Sequence, residues 1–146
     1  WTPDSPNLLR LRLTVRAGPS ADADIVGVQS AAAPAMHRAF HDGTLEPHDR
    51  METDAEGVAT RVPFALTMGI LQDCLSDFRL VSEDAIEDGV ARMFTEERIV
   101  MEGACATAVA AALQADDIAG ETVVLPVSGR NIDLDRLHAI LDARSP

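Results

Sequence analysis

Residues 121–133, E-T-V-V-L-P-V-S-G-R-N-I-D, decide how this chain is read. Residues 122–127 are a short β-branched, apolar run, the composition of a strand buried on both faces. Ser128, Gly129, Arg130 and Asn131 follow as a polar turn at the carboxyl end of that run, and 133–143 has a helical pattern. In open α/β sheets, ligands occupy the crevice beyond the carboxyl ends of the strands. A hydroxyl and a glycine at that place suit a bound heterocycle. They suit a plain strand-to-helix turn equally well, and this stretch by itself leaves both readings open.

Working back from the turn, residues 101–115 carry G-A-C-A-T-A-V-A-A-A-L, a small-residue helix that another backbone can approach closely. Ser82 is placed as the N-cap of the preceding helix, with Glu83, Asp84 and Glu87 in its first turns, where the dipole favours acids. Residues 78–81, F-R-L-V, read as a strand. Pro63 opens an earlier helix, with Leu66, Ile70, Leu71 and Leu75 spaced along one face. Residues 44–56 are polar and acidic, a surface loop. Pro34 fits the first position of a helix reaching His41, with Asp42 and Gly43 as its stop. Residues 24–29, D-I-V-G-V-Q, give a compact buried-strand signal. Residues 8–17 alternate leucine and arginine, ambiguous between strand and helix, and 1–7 read as loop. Strands and helices alternate throughout. The expected class is therefore α/β, a mostly parallel sheet of about four strands flanked by helices.

Composition narrows the function. The 146 residues fit one domain and are 47% apolar, which argues against disorder. A net charge of −12 argues against nucleic acid, whose phosphates need a basic face. No apolar run approaches a membrane span and no signal peptide opens the chain, so no membrane partner is expected. Cys74 and Cys105 lie far apart with no C-x-x-C, which suits a reducing cytoplasm. The basic residues are twelve arginines and no lysine. This acidic, lysine-free balance resembles that of proteins adapted to high salt or encoded in GC-rich genomes. The first residue is Trp1 rather than Met, the expectation being that the chain begins inside something longer or has been processed.

Several stretches in order, D-I-V-G-V-Q-S-A-A-A-P-A-M (24–36), T-D-A-E-G-V-A-T-R-V-P (53–63), L-T-M-G-I-L (66–71), L-V-S-E-D-A-I (80–86), E-G-A-C-A-T-A-V-A-A-A-L (102–113) and V-V-L-P-V-S-G-R-N-I-D (123–133), resemble the C-terminal portion of the pyridoxal-phosphate-dependent threonine/serine dehydratases. These enzymes have the tryptophan-synthase-β fold, fold type II. The resemblance implies a partial large domain over residues 21–146, an irregular or altered segment over 1–20, and pyridoxal 5'-phosphate as cofactor. Ser128 matches the serine that hydrogen-bonds the cofactor's pyridine nitrogen. A neutral hydroxyl there leaves the ring unprotonated, which suits β-elimination of a hydroxyl. Glu102 matches the glutamate near the ring, although a carboxylate serving the helix dipole would look the same in sequence. Gly103, Ala104, Cys105 and Ala106 would sit close to the ring, Gly129 belongs to the same turn as Ser128, and Asn131 would help hold that turn. Gly57 would border the site from the far side.

The departures are as informative. The family attaches its cofactor to a lysine, and this chain has none. The family's phosphate-holding glycines have as counterparts Asp4, Ser5, Pro6 and Asn7, a poor nest for a dianion. Arg130 replaces the second glycine of the S-G-G-N motif, and Cys105 stands where glycine is usual. Gln29 and Ala35 occupy the places where some members hold a divalent cation through glutamate and aspartate, so no metal is expected. His37 and His41 share an i, i+4 spacing with no third ligand at motif spacing, and read as solvated histidines. Cys105 reads as a small buried residue rather than a reactive thiol.

The implied activity is that of an amino-acid ammonia-lyase acting on a small hydroxy-amino acid, with this chain inactive alone. The alternatives are a non-catalytic binding or regulatory remnant and an amino-acid racemase on the same scaffold. The expected partners are a second copy in a homodimer, or a complementing N-terminal half.

Overall fold

The structure, a computed structural model, describes residues 23–144. Strand β1 (Val26–Ser30) leads into helix α1 (Ala35–Asp42), and a long loop with one 3-10 turn (Glu56–Val58) leads to α2 (Ala65–Cys74) and strand β2 (Asp77–Val81). Helices α3 (Glu83–Thr95), α4 (Gly103–Gln114) and α5 (Leu134–Ala143) complete the chain, with a 3-10 turn at Asp116–Ile118. The two strands pair in parallel, from Val26 opposite Asp77 to Ser30 opposite Val81. A parallel pair needs cover on both faces, and it has it. Phe78 points toward α1 and α2 and is buried with Met36, Ala39 and Met68. Val81 points the other way, into the larger core of Ile86, Val90, Met101, Ala106, Val109, Leu137 and Ile140. The α/β class and the flanking helices are thus as the sequence implied.

Local chemistry accounts for the element ends. Gly43 takes the left-handed conformation, φ 70°, that stops α1. Ser82 caps α3, its hydroxyl accepting the Ala85 N–H at 3.2 Å. Helix α1 has no side-chain cap of its own. Gln29 supplies one from β1, its Oε1 accepting the N–H groups of Met36 (3.1 Å) and His37 (3.2 Å). The small residues of α4 do let α3 approach: a Cβ added at Gly89 would stand 3.1 Å from the Ala106 carbonyl oxygen.

Three expectations need correction. Residues 122–127 form no strand: they have no ladder partner among the described residues, and Val123, Val124, Leu125 and Val127 are exposed, Val124 to 57%. A strand exists through its neighbour, and a β-branched run cannot say where that neighbour is. The sheet is accordingly two-stranded among the described residues, and residues 8–17 lie outside them. On α2, Leu66 (79% exposed) and Ile70 face solvent, while Met68 is buried and Leu71 and Leu75 pack against it. This helix is apolar on several faces, so spacing alone could not choose the buried one. It also begins at Ala65, after an extended Phe64, rather than at Pro63.

His37 and His41 lie against each other with ring centroids 4.5 Å apart and planes tilted by 55°, and His41 Nε2 lies 2.9 Å from the Phe78 carbonyl oxygen. His37 Nδ1 is buried without a hydrogen-bond partner. Burial pushes the His37 pKa down from 6.5, and neighbouring His41 adds to the fall, with Asp77 and Asp42 opposing it. The unfolded chain therefore takes this proton more readily than the folded one. The contribution to stability is complete above the unfolded value and is lost as pH falls below about 6.5. Urea midpoints measured on both sides of that value should drop in acid for the native chain and drop less for His37→Leu. Equal slopes would remove His37 as the cause.

Candidate functional site

The site is built where α4 begins. Glu102 is extended, φ −82° and ψ 161°, and its carbonyl accepts the N–H groups of Cys105 (3.1 Å) and Ala106 (3.2 Å), which starts the helix. Its carboxylate does not cap that helix. It turns across to the 128–131 turn, where Oε2 accepts the Asn131 N–H at 3.1 Å. The Glu102 N–H donates to the Gly129 carbonyl at 3.3 Å. Glycine at 129 leaves room for the carboxylate: an added Cβ would stand 2.7 Å from Glu102 Oε2 and closer still to Oε1, so the carboxylate would have to move from its place against the turn. Cys105, one turn along α4, completes the clasp. Its sulfur accepts the Gly129 N–H at 3.0 Å and lies 3.4 Å from Ser128 Oγ.

Residues 53–57 close on the same helix end from the opposite side. A Cβ at Gly57 would stand 2.8 Å from Ala104 Cβ, and one at Gly103 would stand 3.3 Å from Ala55 Cα. Glu83 holds this loop to β1, since the Ser30 hydroxyl donates to its Oε1 and the Asp54 N–H to its Oε2 at 3.1 Å. Between the loop, α3, the start of α4 and α5 lies a cavity of about 670 Å³. Glu102, Gly103, Ala104 and Asn131 line it, together with Asp54, Glu83, Glu87 and Asp133. Arg136 is the lining cation, paired with Asp54 and Glu87, which also joins α5 to α3.

Ser128, Gly129, Asn131, Glu102, Gly103 and Ala104, the residues the resemblance assigns to cofactor binding, are therefore brought together, but on two sides of one turn. Glu102, Gly103, Ala104 and Asn131 face the cavity, whereas Ser128 is exposed and neither it nor Gly129 lines it. A phosphate dianion would be repelled by that acidic cavity, so the residues lining it do not fit the phosphate end of a phosphorylated ring, and the Ser128 side is the one left for such a group. There the exposed hydroxyl and the side-chain-free Gly129 fit the ring end of such a group. The amine that would hold it covalently is not among the 146 residues.

Two assignments change. Glu102 braces the turn rather than its own helix, and Asn131 takes part through its backbone N–H. Cys105 is buried as expected, yet it is also hydrogen-bonded to the turn. Gln29 and Ala35 are a helix-capping amide and a buried methyl. Glu83 and Arg136 were missed. The capping position of Ser82 pointed only to the helix start, and no local pattern joined Glu83 to Ser30.

Residues 12–129 match the model of the family described as pyridoxal-phosphate dependent enzyme. Among curated relatives, the L-threonine dehydratase catabolic TdcB of Escherichia coli strain K12 is 35% identical over 80% of this chain and 36% of its own length. The L-threonine ammonia-lyase of Thermotoga maritima is 30% identical over 81% of this chain and 29% of its own length. The chain thus spans about a third of the length of these relatives. Among solved structures, the T.th. threonine deaminase superposes with a TM-score of 0.70 at 29% identity, covering 75% of this chain and 36% of that one. The processed form of threonine deaminase isoform 2 from Solanum lycopersicum gives 0.72 at 26% identity, covering 83% and 34%.

Proposed function

From the premise that this chain belongs to the pyridoxal-phosphate dependent enzyme family, we propose that it is the C-terminal part of a threonine or serine ammonia-lyase, which converts a hydroxy-amino acid to a 2-oxo acid and ammonia. Residues 21–146 are then part of its large domain, and 1–20 an altered lead-in. The observation that carries this reading is the Ser128–Asn131 turn clasped by Glu102 and Cys105. When bound, pyridoxal phosphate draws electron density from the substrate's α-carbon. Ser128 would donate a hydrogen bond to the ring nitrogen, Gly129 would let the ring approach, and Glu102 fixes the turn from behind. Gly103 and Ala104 keep the helix end small. The chain has no lysine to anchor the cofactor or take the α-proton, so alone it is inactive.

The exposed apolar run 123–127 suits a complementing N-terminal half better than it suits water. A homodimer would cover it in another way. The unpaired cysteines are in keeping with a cytoplasmic enzyme. The test is complementation with an N-terminal half taken from a threonine dehydratase, bearing the lysine and the glycine-rich loop. The mixed pair should bind pyridoxal phosphate and form 2-oxo acid from threonine or serine. Ser128→Ala should slow turnover about tenfold or more, the scale of one hydrogen bond involving a charged or strongly polar partner. A pair that binds the cofactor and eliminates nothing from either amino acid would overturn the lyase reading.

A further inference from the structure

The Ser128–Asn131 turn is already held by its backbone, through the Gly129 carbonyl and the Asn131 N–H, both bonded to Glu102. The contact of Cys105 with the Ser128 hydroxyl is therefore not needed to place the main chain. It bears on the side chain. Ser128 is exposed, and among the described residues the Cys105 thiol is the one hydrogen-bond partner of its hydroxyl. The sulfur accepts the Gly129 N–H at 3.0 Å. With the sulfur already accepting the Gly129 N–H, its own S–H is the group left to face Oγ, and the 3.4 Å contact is read with S–H as donor and Oγ as acceptor. The hydroxyl carries one proton, and this arrangement leaves that proton free.

We propose that Cys105 is a positioning residue that fixes the Ser128 side chain and directs its O–H outward, toward the acceptor nitrogen of a ring bound on that side. The chain of donors runs one way: Gly129 N–H to Sγ, S–H to Ser128 Oγ, and Ser128 O–H to the ligand. The outward step rests on the lyase reading above, whereas the tether itself does not. Cys105 thus has a role that glycine at the same place could not perform, because glycine has no side chain to offer Oγ.

The tether is tested on the chain itself, without cofactor. In NMR spectra, three-bond couplings of Ser128 should report one χ1 rotamer in the native chain, averaged rotamers in Cys105→Ala, and one rotamer again in Cys105→Ser, which restores a donor. The Gly129 amide should exchange with solvent about fivefold faster in Cys105→Ala, the factor of one net hydrogen bond. The Asn131 amide, held by Glu102, should not change. The direction of donation is read separately in the Cys74→Ser background, which leaves Cys105 as the sole thiol. There Ser128→Ala, a change at an exposed position, should raise the S–H stretching frequency by removing its acceptor. An unmoved S–H band would overturn the donor direction even if Cys105→Ala failed to fold. A single Ser128 rotamer in Cys105→Ala, or no rescue by serine, would overturn the tether. Failure of complementation would leave both results standing and remove only the ring nitrogen as the hydroxyl's target.

Discussion

Incubated alone with pyridoxal phosphate and threonine, this chain is expected to form no 2-oxo acid above the rate of the free cofactor. After borohydride treatment, peptide mapping is expected to find no pyridoxyl group on any side chain. The reason is compositional. The twelve basic side chains are all arginine, and a guanidinium stays protonated at any working pH. It can neither add to the cofactor's aldehyde nor accept a proton from a substrate's α-carbon. Histidine can accept a proton but forms no stable imine, and His37 and His41 pack beside Phe78 rather than at the Ser128 turn. The effect is the whole activity, since the lost function is chemical and not a matter of geometry. A pyridoxyl label on a mapped side chain, or substrate-dependent 2-oxo acid from the chain alone, would refute the account of which residues are missing.

The parts of this molecule that could be read from its sequence are those fixed by neighbours in sequence. Gly43 stops α1 and Ser82 caps α3 because a left-handed φ and an N-cap hydrogen bond are properties of a few adjacent residues. The small residues of α4 announced close packing, and Gly89 against Ala106 supplies it. What depended on distant partners was less legible. The run 122–127 has strand composition and no strand beside it. Leu66 and Ile70 are apolar at helical spacing, on a helix whose buried side is set by where α1 and β2 lie.

The candidate site divides the same way. Membership of Ser128, Gly129, Asn131 and Glu102 in one constellation was visible as motif order along the chain. The direction of the Glu102 carboxylate was not, because helix start and turn brace differ only in tertiary placement. The acidic character of the cavity behind the turn was hidden too. It gathers Asp54 from the 53–57 loop, Glu83 and Glu87 from α3, and Asp133 from the start of α5. Summed charge had announced acidity everywhere and so could not locate it.

Met101 is where fold and site meet, and its truncation is the second large effect expected. It is fully buried, at 0% exposure, in the core shared by Ile86, Val90, Val109, Leu137 and Ile140. It also immediately precedes Glu102, so it anchors the backbone from which the turn is braced. Met101→Ala removes a buried side chain from between α3, α4 and α5, and such truncations cost about 2–5 kcal/mol. With a urea slope of about 1–3 kcal/mol/M, the midpoint should fall by about 1–2 M. Met51 is exposed, and Met51→Ala should change the unfolding free energy by no more than about 0.5 kcal/mol. Coincident transitions by far-ultraviolet circular dichroism and by NMR peak intensities are needed for the comparison to stand. If the core loosens as the packing requires, the Asn131 amide held by Glu102 should lose protection from exchange under native conditions in Met101→Ala and keep it in Met51→Ala. Equal midpoints for the two variants would mean that this core does not carry the stability of the chain, and an unchanged Asn131 amide would mean that the brace on the turn does not depend on it.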